Sequence, residues 1–168
     1  PILNTYFGAT AEYKVALGRN VMRMPPGVIE RLDKPAHIVH LTEPATYEFI
    51  REVRKGALTP KDKAAIDRLF VLIEDQQIFS FFESIEGTKR ALSDAAEADF
   101  SFAYPDLEIA CTFTRQQFES WARPAREKIF ASLDECLRQG QISAADVDLV
   151  CLTGGSAQVP LIREELAK

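Results

Sequence analysis

Apolar residues recur along this chain with two periods, and the changes from one to the other divide it into elements. From Pro44 to Lys55, Tyr47, Ile50 and Val53 fall on one side of a helix. Thr59-Pro60-Lys61-Asp62 has the composition of a helix start. Threonine can cap, proline suits the first turn, and aspartate favours the positive N-terminus. A helical pattern then runs to about Leu92 through Ile66, Leu69, Phe70 and Ile73, and on through Phe81 and Ile85. Within it, QQIFSFFES (76–84) is apolar enough to hold a kink or break. Residues 1–30 carry no clear period, although MPPGVIERL suggests a loop followed by a short helix.

Near residue 98 the period changes to two. Phe100, Phe102 and Tyr104 alternate with small or polar residues, Pro105-Asp106 is turn chemistry, and Ile109, Cys111 and Phe113 alternate again. A β-hairpin over 98–113 is predicted. Thr114-Arg-Gln-Gln117 is a capping box. The helix after it sets Phe118, Trp121, Ala125, Ile129, Leu133 and Leu137 on one face, with Gly140 as its stop. Val147, Leu149, Val150, Cys151 and Leu152 then predict a strand buried on both faces of a sheet. It runs into Gly154-Gly155-Ser156, and a second helix begins at Pro160.

Composition narrows the classes. A chain of 168 residues, 46% hydrophobic, can build one soluble domain or two small lobes. Its net charge of −5 and lack of a basic patch argue against a nucleic-acid partner. No apolar run is long enough to cross a bilayer, and no signal peptide stands at the start, so a cytoplasmic location is expected. The first residue is Pro1, which suggests that an upstream piece has been removed. Cys111, Cys136 and Cys151 are scattered, as in reduced thiols; Cys111 and Cys151 sit in strand patterns and read as core. His37 and His40 have no third ligand nearby, so no metal site is expected. No Ser-His-Asp arrangement can be argued.

Two features carry candidate chemistry. A strand, a glycine turn and a helix let backbone approach a ligand, and the helix start offers unpaired N–H groups. Such a Gly-Gly pair more often serves packing alone. The G-x-x-x-x-G-K-[ST] and G-x-G-x-x-G phosphate motifs are both lacking. The second feature is Glu86, Lys89, Arg90 and Ser93, at i, i+3, i+4 and i+7 on one helical stripe. It reads either as a solvated face with a Glu–Lys pair or as a polar clamp. In a clamp, arginine would stack on a purine and the other three would hydrogen-bond a sugar or base edge.

VDLVCLTGGSAQVPLIREEL resembles the strand–turn–helix near the end of the ATPase domain of the seventy-kilodalton heat-shock (DnaK-type) chaperones. FESIEGTKRALSDAAEADFSF is similar to that family's E-x-x-K-x-x-L-S segment and following strand. LEIACTFTRQQFESWARP is similar to the strand and Thr-Arg-x-x-F-E helix start that come next. The blocks occur in the family's order over about residues 80–168. Residues 1–79 match loosely and lean toward divergent bacterial members of the YegD type.

The resemblance implies an α+β fragment of the actin-like ATPase fold. Residues 1–140 would be the outer subdomain of its second lobe, with long helices and the 98–113 hairpin. Residues 141–168 would be one strand–turn–helix of the inner subdomain. It further implies an adenine nucleotide, ATP or ADP, gripped between these parts, with Mg only in the full-length parent. Glu86 and Lys89 would face the ribose, and Arg90 and Ser93 the base. Gly154, Gly155 and Ser156 would form the other wall. Where the family usually has an arginine that stacks on adenine, this chain has Gln158, so one side of that sandwich is expected to be weaker. The family's Asp-Gly phosphate loops have no counterpart, since no Asp-x-Gly-Thr occurs here. No catalytic residue is therefore expected, and the chain alone should not hydrolyse ATP. An alternative stays open: an interaction module that docks a co-chaperone or nucleotide-exchange factor. The strand at 147–152, without its sheet partners, would also favour self-association.

Overall fold

The computed structural model describes residues 2–15, 18, 20–32, 37 and 40–167, without the side chains of Ser156 and Gln158. It is a mixed structure of helices and small antiparallel sheets, as the α+β expectation has it. The chain clusters into two compact units, Pro1–Ser84 with Ser101–Ile109, and Ile85–Phe100 with Ala110–Lys168.

The first unit begins with α1 (Ile2–Tyr6), β1 (Glu12–Tyr13), β2 (Met22–Arg23) and α2 (Pro26–Glu30). β1 pairs antiparallel with β2, Glu12 opposite Arg23 and Tyr13 opposite Met22. On its other edge Tyr13 bridges to Ala57, with Lys14 N–H donating to the Gly56 carbonyl at 2.9 Å. This contact is close: a Cβ on Gly56 would lie 2.0 Å from the Lys14 carbonyl oxygen. α3 (Pro44–Gly56) packs its Ile50 and Val53 inward against α4 (Pro60–Glu74), which buries Ala65, Ile66, Leu69, Phe70, Leu72 and Ile73.

Local chemistry sets both ends of α4. The Thr59 hydroxyl accepts from Asp62 N–H at 3.0 Å, with Pro60 in the first turn. At the other end Gln76 takes φ +54° and Gln77 N–H donates to the Leu72 carbonyl at 3.1 Å, a Schellman-type stop built on glutamine. The long helical pattern is therefore broken at the head of QQIFSFFES, and α5 (Ile78–Asp94) starts afresh. Phe81 stands between Phe7 and Phe102, edge-on to both, with centroids 5.2 and 5.1 Å away.

β3 (Glu97–Tyr104) and β4 (Leu107–Thr114) form the expected hairpin. Pro105 and Asp106, the latter at φ +61°, have the sign pattern of a type II turn. Phe100, Phe102, Leu107 and Ile109 are buried, which is the alternation read from the sequence.

In the second unit the hairpin leads into α6 (Arg115–Gly140) through a complete capping box. Gln117 N–H donates to the Thr114 hydroxyl at 3.1 Å, and Thr114 N–H to the Gln117 side chain at 3.0 Å. Arg115 reaches back with Nε to the Leu92 carbonyl (2.8 Å) and Nη2 to the Ser93 carbonyl (3.2 Å). It thus satisfies two of the last carbonyls of α5. Trp121 meets Phe113 edge-on at 5.5 Å.

Three expectations need correction. α6 stops at Gly140, but the left-handed residue is Gln141, at φ +53°. The stretch 147–152 is not a buried strand: it joins no sheet, and Val147, Leu149, Val150, Cys151 and Leu152 are all exposed. An apolar run becomes a central strand only when neighbours supply its ladder, and none of the described residues does. Cys151 consequently lies outside any core, whereas Cys111 on β4 is half-buried. Beyond 3₁₀ turns at Ala144–Asp146 and Gly155–Gln158, α7 (Pro160–Leu166) begins with the expected proline in its first turn.

Candidate functional site

The polar stripe lies on the C-terminal part of α5, within the second unit. Lys89 Nζ and Glu86 Oε1 form a half-exposed pair at 2.7 Å, an arrangement worth only tenths of a kcal/mol, about 0.2–0.5. Arg90 Nε donates to the Glu86 carbonyl at 3.3 Å, and the Ser93 hydroxyl to the Lys89 carbonyl at 3.4 Å. The last two bonds are long, and all three stay on the residues' own helix. A ligand could exchange them at small cost.

These four side chains line one open cavity of ≈ 1110 Å³. Gly155, Val159 and the start of α7, through Glu164, line it as well. α6 closes a further side with Phe118, Ala122, Ala125, Arg126 and Ile129. Glu86, Lys89, Arg90, Ser93 and Gly155 are thus brought together. Gly154 adjoins the site without lining it, and the side chains of Ser156 and Gln158 fall outside the described residues.

A Cβ at Gly154 or Gly155 would meet nothing within 4 Å, so neither glycine is there to let elements pack. Gly154 answers a conformational need, φ +83°, which residues with a side chain rarely adopt. Gly155 leaves the cavity wall bare of a side chain.

Phe118, Ala125 and Ile129, from the predicted apolar face of α6, line the cavity, and α6 has no buried residue. Arg126 was missed altogether. The signal was present: it falls in register with Phe118, Ala122 and Ile129 on the apolar stripe, where a cation is out of place. Its side chain is half-buried. Nη1 lies 3.9 Å from Glu165 Oε2, and Nε has no hydrogen-bond partner among the described residues.

Among the described residues no group of His, Cys, Asp and Glu could hold a metal ion, and no helix is long and apolar enough to cross a membrane. His40 Nδ1 instead meets Glu43 Oε1 at 2.6 Å, and that hydrogen bond holds the Glu43 carboxyl below its ordinary value.

With stripe, glycine turn and α6 in one place, comparison with known proteins identifies the class. The family model described as "Hsp70 protein" matches residues 62–168, beginning earlier than the resemblance at about residue 80. The chain belongs to the Hsp70 family, whose domain implies an actin-like ATPase fold. Its curated relatives include a chaperone protein HscA homolog of Burkholderia pseudomallei (strain 668), 31% identical over 107 residues; the match covers 63% of this chain and 17% of the relative. The homolog of Burkholderia mallei (strain SAVP1) is 34% identical over 87 residues, 51% of this chain and 14% of the relative. The chain therefore spans about a sixth of the length of the curated relatives it matches.

Proposed function

We propose that this chain supplies an adenosine-binding wall of a chaperone-type ATPase domain. The observation that carries the reading is the convergence of Glu86, Lys89, Arg90 and Ser93 with Gly155 on one cavity. In this reading Glu86 and Lys89 take the ribose hydroxyls, and Arg90 and Ser93 take the base. Gly154, Gly155 and Ser156 let backbone pass beside the nucleoside. Gln158 offers no cation to stack, so affinity is weak, in the high-micromolar range or poorer. Residues 1–140 form the outer subdomain of the second lobe and 141–168 part of the inner one. ATP or ADP with Mg, and hydrolysis, belong to a longer protein; this chain has no catalytic group of its own for γ-phosphate attack.

Titration calorimetry of the chain with adenosine and ADP tests this. Saturable weak binding is expected, further weakened by Arg90→Ala, with no ATP turnover above a mock purification. Absence of saturable binding at millimolar nucleoside, or equal binding by Arg90→Ala, would sink the reading.

A second reading is favoured by the exposed Trp121, Ile129 and Leu133 of α6 and the exposed 147–152 stretch. These suit a protein-interaction module that docks a co-chaperone or exchange factor, or a second copy of the chain. Sedimentation discriminates the last case: self-association should fall when Val150 is changed to lysine.

A further inference from the structure

Arg126 is only loosely held where it is, by a long ion pair to Glu165. Its side chain is 28% exposed, and it lines the cavity from the middle of α6. A guanidinium stays charged at any ordinary pH and carries five N–H donors, so burying it is unfavourable unless those donors are met. Here Nε is buried and, among the described residues, unpartnered, and the nearest of their carboxylate oxygens, on Glu165, is 3.9 Å from Nη1, beyond hydrogen-bond length. Its neighbours along the stripe, Ala122 one turn before and Ile129 one turn after, have no side-chain acceptor to offer. Ala122 and Ala125, both small, leave open cavity beside it.

Arg126 lines the cavity with a cation whose nearest carboxylate among the described residues lies beyond hydrogen-bond length, so an acceptor entering from outside can meet its N–H groups. We infer that Arg126 reads the ligand of this cavity, donating from its guanidinium to an acceptor atom of the nucleoside. This rests on the adenosine reading above. It adds a third wall, supplied by α6, to the stripe of α5 and the turn at Gly155. It also makes Arg126 the group that favours a planar, acceptor-bearing base over an apolar molecule of similar size. Arg126 is a binding residue that is unfavourable to the unliganded fold, so its removal separates stability from binding.

The experiment compares wild type, Arg126→Met and Arg126→Lys in the 168-residue chain. Thermal unfolding is followed without ligand, and calorimetry with adenosine and with ADP. Arg126→Met keeps the length of the stem and removes the unmet Nε donor with the rest of the guanidinium; it should melt at the same temperature as wild type or higher. Its affinity for adenosine and for ADP should fall about tenfold, the scale of one charge-assisted hydrogen bond. Arg126→Lys, which lacks the planar fork, should not restore binding. A lower melting temperature for Arg126→Met, with wild-type binding by Arg126→Lys, would make Arg126 a structural partner of Glu165 and overturn the inference. Loss of affinity for ADP alone would place the group at the phosphates and overturn it as well. Unchanged affinity in Arg126→Met overturns this inference only, since Arg90→Ala still reports on the adenosine site. A wild type that binds no nucleoside removes both.

Discussion

α4 and α6 are built alike at their ends and differently along their lengths. Each starts at a threonine whose hydroxyl accepts a backbone N–H, and each stops at a glutamine in the left-handed region. Yet α4 buries six residues in 15 positions, whereas α6, at 26 positions and with an equally periodic apolar stripe, buries none. The difference teaches that caps and stops are settled by the few residues around them, but burial is not. A stripe shows which face would be covered; it does not supply the cover.

The largest expected effect breaks the comparison open at one residue type. Leu69 is fully buried on α4, and Leu133 is exposed on α6. Leu69→Ala should cost about 2–5 kcal/mol in urea unfolding, and Leu133→Ala no more than about 0.5. Equal losses would mean that α6 is covered in solution, by a second copy or a partner.

Glycines come next. Gly56→Ala would force a Cβ to 2.0 Å from the Lys14 carbonyl oxygen and should cost about 1–3 kcal/mol. Gly155→Ala meets open space and should leave the melting temperature unchanged while weakening adenosine binding. A destabilised Gly155→Ala would show that the cavity wall is tighter than described.

The caps sharpen the comparison from the other side. Thr59→Ala and Thr114→Ala should each cost about 1 kcal/mol, because the hydrogen bond lost is the same in both helices. A much larger loss at Thr59 would show that the core around α4 amplifies its cap.

The smallest effect is on the surface of α6. Hydrogen bonds from Arg138 and then Gln139 hold the Glu135 carboxyl below its ordinary value. Its contribution to stability is thus present above the unfolded-state pKa and lost as pH falls through the folded one. Wild type should melt slightly above Glu135→Gln at neutral pH and coincide with it in acid. A constant gap at all pH values would assign the difference to something other than this charge.

Much of the site was legible, for reasons that follow from its residues. Glu86, Lys89, Arg90 and Ser93 share a stripe because helix geometry alone places i, i+3, i+4 and i+7 together. Arg126 was not legible, although it stood in register on an apolar stripe. Nothing local told whether that stripe faced a core or a cavity.

The elements with local causes were determined by sequence: the Thr59 and Thr114 starts, the two-residue hairpin turn, and Pro160 opening α7. Their hydrogen bonds and backbone angles involve residues within a few positions of one another, so no distant partner was needed. Only the tertiary structure decided that Val147–Leu152 forms no strand, that α6 buries no residue and that Gly155 lines one cavity with the α5 stripe. Each depends on what lies opposite, and a hydrophobic pattern carries the demand for a partner without carrying the partner itself.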